Sequence, residues 1–216
     1  SSIARETQAG VYNHAGPEVG VASTKAFVSQ LTVLTLMAVY LGQLRRVLTR
    51  GHEILACVAE LPEQVRSILN QRSEIARLAD IFKTADHSLF LGRSSHTPIA
   101  YEGALKLKEV SYVHAEGYSS GEMKHGPIAL IHEGMPVVVI ATAGSQYDRI
   151  NNNIAQVRAR GGSIIAIATE GDREIAKLAE HVLYVPDTIE PLQPLLTVIP
   201  LQLIAYHAAL LRGCNV

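Results

Sequence analysis

The sequence predicts an α/β protein, a three-layer, doubly wound and mostly parallel sheet preceded by helices. Three observations predict it. Four short runs are continuously apolar: Ser88–Leu91, Val137–Ala141, Ile164–Ala168 and Val182–Val185. Unbroken rather than alternating apolarity marks strands buried on both faces. Helical segments separate these runs, and strand–helix alternation builds parallel sheets through right-handed crossovers. Finally, 216 residues at 48% hydrophobic suffice for one or two domains with a sizeable core.

Taken in order, Ser1–Val19 is mixed, with Gly10–His14 expected as a short edge strand. Gly20–Lys25 leads into a helix over 24–48, with Ser23 or Thr24 as its hydroxyl N-cap. Arg45, Arg46 and Arg50 suit the negative end of the helix dipole, and Gly51 breaks the chain. Amphipathic helices follow at His52–Asn70, kinked or divided at Pro62, and at Arg72–Thr84. The run Ser88–Leu91 ends at Gly92 and a polar loop, Arg93–Pro98, the layout of phosphate loops in open α/β sheets. A charged helix, a turn and a polar loop closing on Gly126-Pro127 come next. Gln146–Arg160 is a helix stopped by Gly161-Gly162. Asp172–Glu180 is expected as a short helix, Pro186–Gln193 as a loop, and Leu195–Arg212 as a final buried helix. His207 within it reads as a hydrogen-bonded core histidine.

Composition excludes several classes. A formal net charge of −1 gives no broad nucleic-acid surface. Leu31–Leu41 is too short to span a membrane, and Leu195–Leu211 is interrupted by Pro200, Gln202 and His207. Both read as buried helices, so no membrane is expected as a partner. Cys57 and Cys214 have neither the number nor the spacing of a zinc site or disulfide framework. Ser1–Glu6 has no basic segment followed by an apolar one, so a cytoplasmic location is expected. No metal site and no cofactor are expected.

The stretch Glu102–Pro127, EGALKLKEVSYVHAEGYSSGEMKHGP, concentrates the chemistry. Residues three, four and seven apart share a helix face, which groups Glu102, Lys106 and Glu109. The helix is otherwise apolar nearly all round, so this stripe faces a partner, a ligand or a cavity. The competing reading is a solvated face carrying ordinary Glu–Lys pairs. Lys124-His125-Gly126-Pro127 sets a histidine between a cation and a rigid turn. A carboxylate and a histidine suit proton movement on carbon and oxygen, as in aldose–ketose isomerisation.

These residues also carry a resemblance. EGALKLKE, HAEGY, GEMKHGPIALI, IPLQLIAYHAALLRG and the earlier ARETQAGVYNHAGPEVGVASTKAF closely resemble the isomerase half of the glucosamine-6-phosphate synthase family, also called glutamine–fructose-6-phosphate aminotransferases (isomerising). The resemblance covers nearly the whole chain. It implies that 1–46 is the end of a first sugar isomerase (SIS) domain and 47–216 nearly all of a second. It implies fructose 6-phosphate and glutamine-derived ammonia as substrates, a glutamine-hydrolysing domain before the chain, and a homodimer. Glu109 would shuttle a proton between sugar carbons, Lys106 would tune its charge, and His125 would assist ring opening in the neighbouring subunit's site. Glu102 would be a structural partner of Lys106. The loop at Val21 and Ser23 would line the sugar site, with the main phosphate loops before Ser1 and a Schiff-base lysine after Val216. Single-domain SIS relatives hold sugar phosphate in the loop equivalent to Gly92–Thr97, and here the resemblance implies a relic. The alternatives are a non-catalytic sugar-phosphate-binding SIS module and an SIS isomerase for another phosphosugar.

Overall fold

All four apolar runs are strands of one parallel sheet, and a fifth strand joins them. The computed structural model describes residues 2–216. In chain order the elements are α1 (Ser2–Glu6), α2 (Lys25–Leu44), α3 (Gly51–Asn70), α4 (Arg72–Leu78), β1 (His87–Gly92), α5 (Thr97–Ser111), β2 (His114–Ser119), β3 (Pro136–Ala141), α6 (Tyr147–Arg158), β4 (Ser163–Thr169), β5 (His181–Val185) and α7 (Gln193–Leu211). The spatial order is β2-β1-β3-β4-β5, and every pairing is parallel.

Successive side chains of a strand point to opposite faces, which sorts the core into two halves. Phe90, Val138, Ile140, Ile165, Ile167 and Val185 face α3, α4, α5 and α7. Leu91, Val137, Val139, Ile164 and Ala166 face α6 and the loop around Met123 and Ile131. The three layers expected of a doubly wound sheet are present. At the end of α6, Gly161 takes φ +80°, the left-handed cap that glycine supplies without strain.

Several local expectations fail, each for a physical reason. The segment expected as a turn and polar loop contains β2, whose sequence HAEGYS is polar because it is an edge strand paired only with β1. Gly10–His14 is not a strand among the described residues; it is tied to α2 instead, with Ser29 Oγ donating to the Asn13 carbonyl at 3.1 Å. The expected helix Asp172–Glu180 shrinks to one 3-10 turn, Ile175–Lys177. There the Asp172 carboxylate accepts from the amides of Glu174 and Ile175 at 2.9 and 3.1 Å, offering the backbone an alternative to a longer helix. Pro62 does not divide α3. His207 is half-buried, stacked edge-on against Tyr206 at 5.1 Å, and has no side-chain hydrogen bond among the described residues. Burial lowers its pKa.

The two apolar helices part company. Lys25–Leu44 and Glu190–Leu211 are both long and apolar enough to cross a membrane by length and composition. The second is the buried core helix expected. α2 is not buried: Val39 is its one buried residue, while Leu34, Met37, Tyr40, Leu41 and Leu44 are exposed. Among the described residues, α2 packs on the core through Phe27, Val28 and Leu31.

β2 lies hard against α5. A Cβ at Gly117 would stand 2.7 Å from the Tyr101 backbone, and backbone cannot yield as a flexible side chain can. Gly117→Ala is therefore expected to destabilise the protein by about 1–3 kcal/mol, read as a lower urea midpoint with an unchanged slope.

Candidate active site

α5 places its charged stripe where the sheet, α7 and the N-terminal loop meet. Pro98 at the start of the helix fits a first turn that needs no amide donor. Ile99, Ala100, Ala104 and Leu107 bury the apolar side in the core. Lys106 is buried as well, only 4% exposed, so this is not a solvated face. Its Nζ donates to Glu109 Oε2 at 2.6 Å and stands 3.6 Å from Glu102 Oε1. Glu102 is deep and Glu109 is one-third exposed. Burial raises the Glu102 carboxyl above its usual range, and the Lys106 ammonium opposes that rise.

Lys106 also lines a cavity of about 440 Å³. The loop Pro17–Ala22 with Thr24 and Lys25 forms one wall, and Val110, Gln202, Ala205, Tyr206 and Val216 complete it. Val21 is thus brought to the same cavity as Lys106. Ser23 lies behind that wall, beside the Glu18 carboxylate. Glu109 reaches the cavity group through its bond to Lys106. His125 is elsewhere: it is exposed on a 3-10 turn, Met123–His125, held by the fully buried Met123. Within one chain the structure does not bring His125 to Glu109.

The expected hydroxyl cap of α2 is absent; neither Ser23 nor Thr24 caps it. Glu18 Oε1 does so, accepting from the amides of Thr24 at 2.8 Å and Ala26 at 3.1 Å. A full negative charge meets the positive end of the helix dipole and its free amides better than a hydroxyl does. Those amide bonds hold the Glu18 carboxyl below its usual range. Gln202 Nε2 donates to the Thr24 carbonyl at 3.4 Å, tying the loop to α7. Sequence reasoning missed Glu18, Gln202 and Tyr206. The spacing of Gln202 and Tyr206, four apart on one face of α7, was the available signal; Glu18, six residues before the cap, left none.

The strand order reverses between β1 and β3, where open α/β sheets usually hold ligands at the carboxyl ends of the strands. Here that crevice is laced with internal bonds. Arg93 Nε donates to Gln146 Oε1 at 3.0 Å, and Thr142 Oγ1 to Gln193 Oε1 at 2.9 Å. Ser145 Oγ donates to Glu190 Oε1 at 2.7 Å. The Glu190 carboxylate lies within 4 Å of where a Gly144 Cβ would stand. His96, 7% exposed, is pushed down to about 4 by burial and is neutral at pH 7. The Glu190 carboxylate opposes an incoming phosphate, and the Arg93 guanidinium of the same crevice is engaged by Gln146.

A protein-family model described as SIS domain matches residues 81–212. The parallel sheet and its helix layers are those of this domain, and the chain belongs to the SIS domain family. Among curated proteins it is 55% identical over 217 residues to the glutamine–fructose-6-phosphate aminotransferase (isomerizing) of Chlorobaculum tepidum, covering all of this chain and 35% of that protein. It is 51% identical over 218 residues to the enzyme of that name from Thermus thermophilus, covering 36% of it. The chain thus spans about a third of the length of the curated relatives it matches. Among solved structures, the C-terminal domain of glucosamine-fructose-6-phosphate aminotransferase from Francisella tularensis superposes with a TM-score of 0.96 at 37% identity, covering 100% of this chain and 62% of that one. Glucosamine-6-phosphate deaminase from Thermotoga maritima gives 0.68 at 25% identity, covering 91% and 55%.

The Glu18 cap has a pH signature. Its folded carboxyl titrates below its unfolded value, so the cap is fully formed above the ordinary carboxylate range and is lost as pH falls through the lowered folded value. Hydrogen-exchange protection of the Thr24 and Ala26 amides is expected to fall on acidification. In Glu18→Gln it is expected to be low already at neutral pH and to change little with pH.

Proposed function

We propose that this chain is the isomerase part of a glutamine–fructose-6-phosphate aminotransferase, which converts fructose 6-phosphate and glutamine-derived ammonia to glucosamine 6-phosphate in amino sugar biosynthesis. The observation that carries the reading is Lys106, buried in the cavity wall opposite the Val21 loop with its Nζ 2.6 Å from the Glu109 carboxylate. The cavity is the size of a small-molecule site. High identity to proteins of that name over the whole chain supports the same reading.

In this proposal the open-chain sugar lies between the Val21–Ser23 loop and α5. Glu109 takes a proton from C1 and returns it to C2, so the carboxylate is regenerated in each cycle. Lys106 holds the orientation of that carboxylate, and Glu102 balances the remaining charge of the buried ammonium. His125, exposed on its turn, acts in ring opening in the neighbouring subunit of a homodimer. The exposed apolar side of α2 then lies against the rest of a first SIS domain and the partner subunit, with 1–46 belonging to that first domain and 47–216 to the second. A glutaminase domain of the full-length protein supplies ammonia, and the cytoplasm is the compartment. The resemblance puts the amine-bearing lysine on a tail after position 216; Val216 stands in the cavity wall, a suitable place for such a tail to enter.

Glu109→Gln in the full-length protein tests the reading. The amide keeps the shape and still accepts from Lys106, but it cannot take a carbon-bound proton. Solvent deuterium incorporation at C1/C2, followed by NMR, is expected to fall about a hundred- to ten-thousand-fold, with sugar-phosphate binding and the melting temperature little changed. Near-normal exchange in the folded variant would refute the role given to Glu109.

A further inference from the structure

We propose that His87 and His114 form a binding site for a borderline transition-metal ion of the zinc, nickel or copper(II) class, clipping the edge strand β2 to β1. The two residues are register partners at the first rungs of adjacent parallel strands. Both are exposed. Their Nδ1 atoms face each other at 3.1 Å, with the rings nearly perpendicular at 89°. Two imidazole nitrogens bonded to one metal at about 2.0–2.1 Å, in tetrahedral or right-angled geometry, are themselves about 2.9–3.4 Å apart. The pair therefore has the separation of two neighbouring ligands before any metal arrives.

The surroundings fix the ring that matters most. Glu116 Oε1 lies 3.5 Å from His114 Nε2, and the Tyr118 hydroxyl donates to the same carboxylate. A carboxylate near the far ring nitrogen favours the tautomer with its proton on that side, which leaves the Nδ1 lone pair towards His87, the usual orientation of a metal-binding histidine with a carboxylate behind it. Without metal, one Nδ1–H must donate to the other Nδ1. On binding, that proton moves to the far nitrogen of its own ring, and both lone pairs face the ion with no change in net protein charge. Among the described residues no group of three His, Cys, Asp or Glu is arranged to hold a metal. The site accordingly offers two nitrogens and leaves the other positions to water, which makes it exchangeable rather than structural. Nitrogen ligands select against magnesium and calcium, which prefer oxygen.

Position gives the site its consequence. β2 is bound to the sheet on one side only and runs straight into the turn that carries His125. A metal joining His87 to His114 anchors that strand at its start and so stiffens the arm leading to the turn. The clip is independent of the isomerase reading, since it lies at the opposite end of the strands from that turn.

Calorimetric titration of the full-length protein with zinc chloride, with magnesium chloride as control, tests it together with thermal melts. One zinc per chain is expected at this site, with a rise in melting temperature and no magnesium response. His87→Gln and His114→Gln are each expected to weaken zinc binding at least tenfold and to remove the thermal shift. Because both side chains are exposed, the variants are expected to fold as the parent does, as the metal-free melts report. Unchanged zinc affinity and thermal shift in the His87→Gln/His114→Gln double variant would overturn the proposal, as would an equal response to magnesium.

Discussion

The arrangement depends on one buried cation. Lys106 carries its ammonium into a region where 5% of its side chain meets solvent, and an unpaired charge there would cost several kcal/mol. Glu102 one turn before it and Glu109 one turn after it meet that demand from the same helix. Since both carboxylates must lie on the Lys106 face, the rotation of α5 about its axis is fixed, and Ala100, Ala104 and Leu107 turn to the core. Glu109 is the more solvated of the two carboxylates, which suits the proton exchange proposed for it, while Glu102 stays deep.

The site proposed over Lys106 lies away from the place its fold would suggest. In this sheet the crevice at the strand ends holds Glu190, Gln193, Gln146 and Arg93 bonded to one another and to the loops. The cavity that reaches Lys106 lies on the outer flank, between α5, α7 and the N-terminal loop, while a larger space of about 820 Å³ opens beside Ser94, Ser95 and Glu190. The Glu18 cap and the Gln202 bond hold that loop over Lys106, joining the start of the chain to a helix near its end.

What could be read from the sequence follows from how much of each signal is local. The sheet was legible because β1, β3, β4 and β5 are rich in buried apolar side chains, leaving unbroken runs. β2 was not, because an edge strand written HAEGYS looks like a loop until its partner is known. The Lys106 face was legible from spacing alone, since helix geometry sets it within seven residues. Glu18 as a cap was not, because a carboxylate reaching back over six residues has no fixed pattern, and a hydroxyl beside the first turn is the commoner solution. The burial of α2 was misjudged because apolarity reports what a helix must cover, not whether the cover lies in the same chain. His125 was legible as chemistry, but within one chain the structure does not bring it to Glu109.

The central claim is that the sugar phosphate binds over Lys106 and not in the crevice at the strand ends. Methyl NMR of the full-length protein titrated with fructose 6-phosphate tests this most directly. The account predicts that the methyl signals of Val21, Val110 and Ala205 shift together with ligand, while those of Thr142, Ala143 and Thr169 stay in place. Shifts confined to Thr142, Ala143 and Thr169, with Val21 and Val110 unmoved, would contradict it.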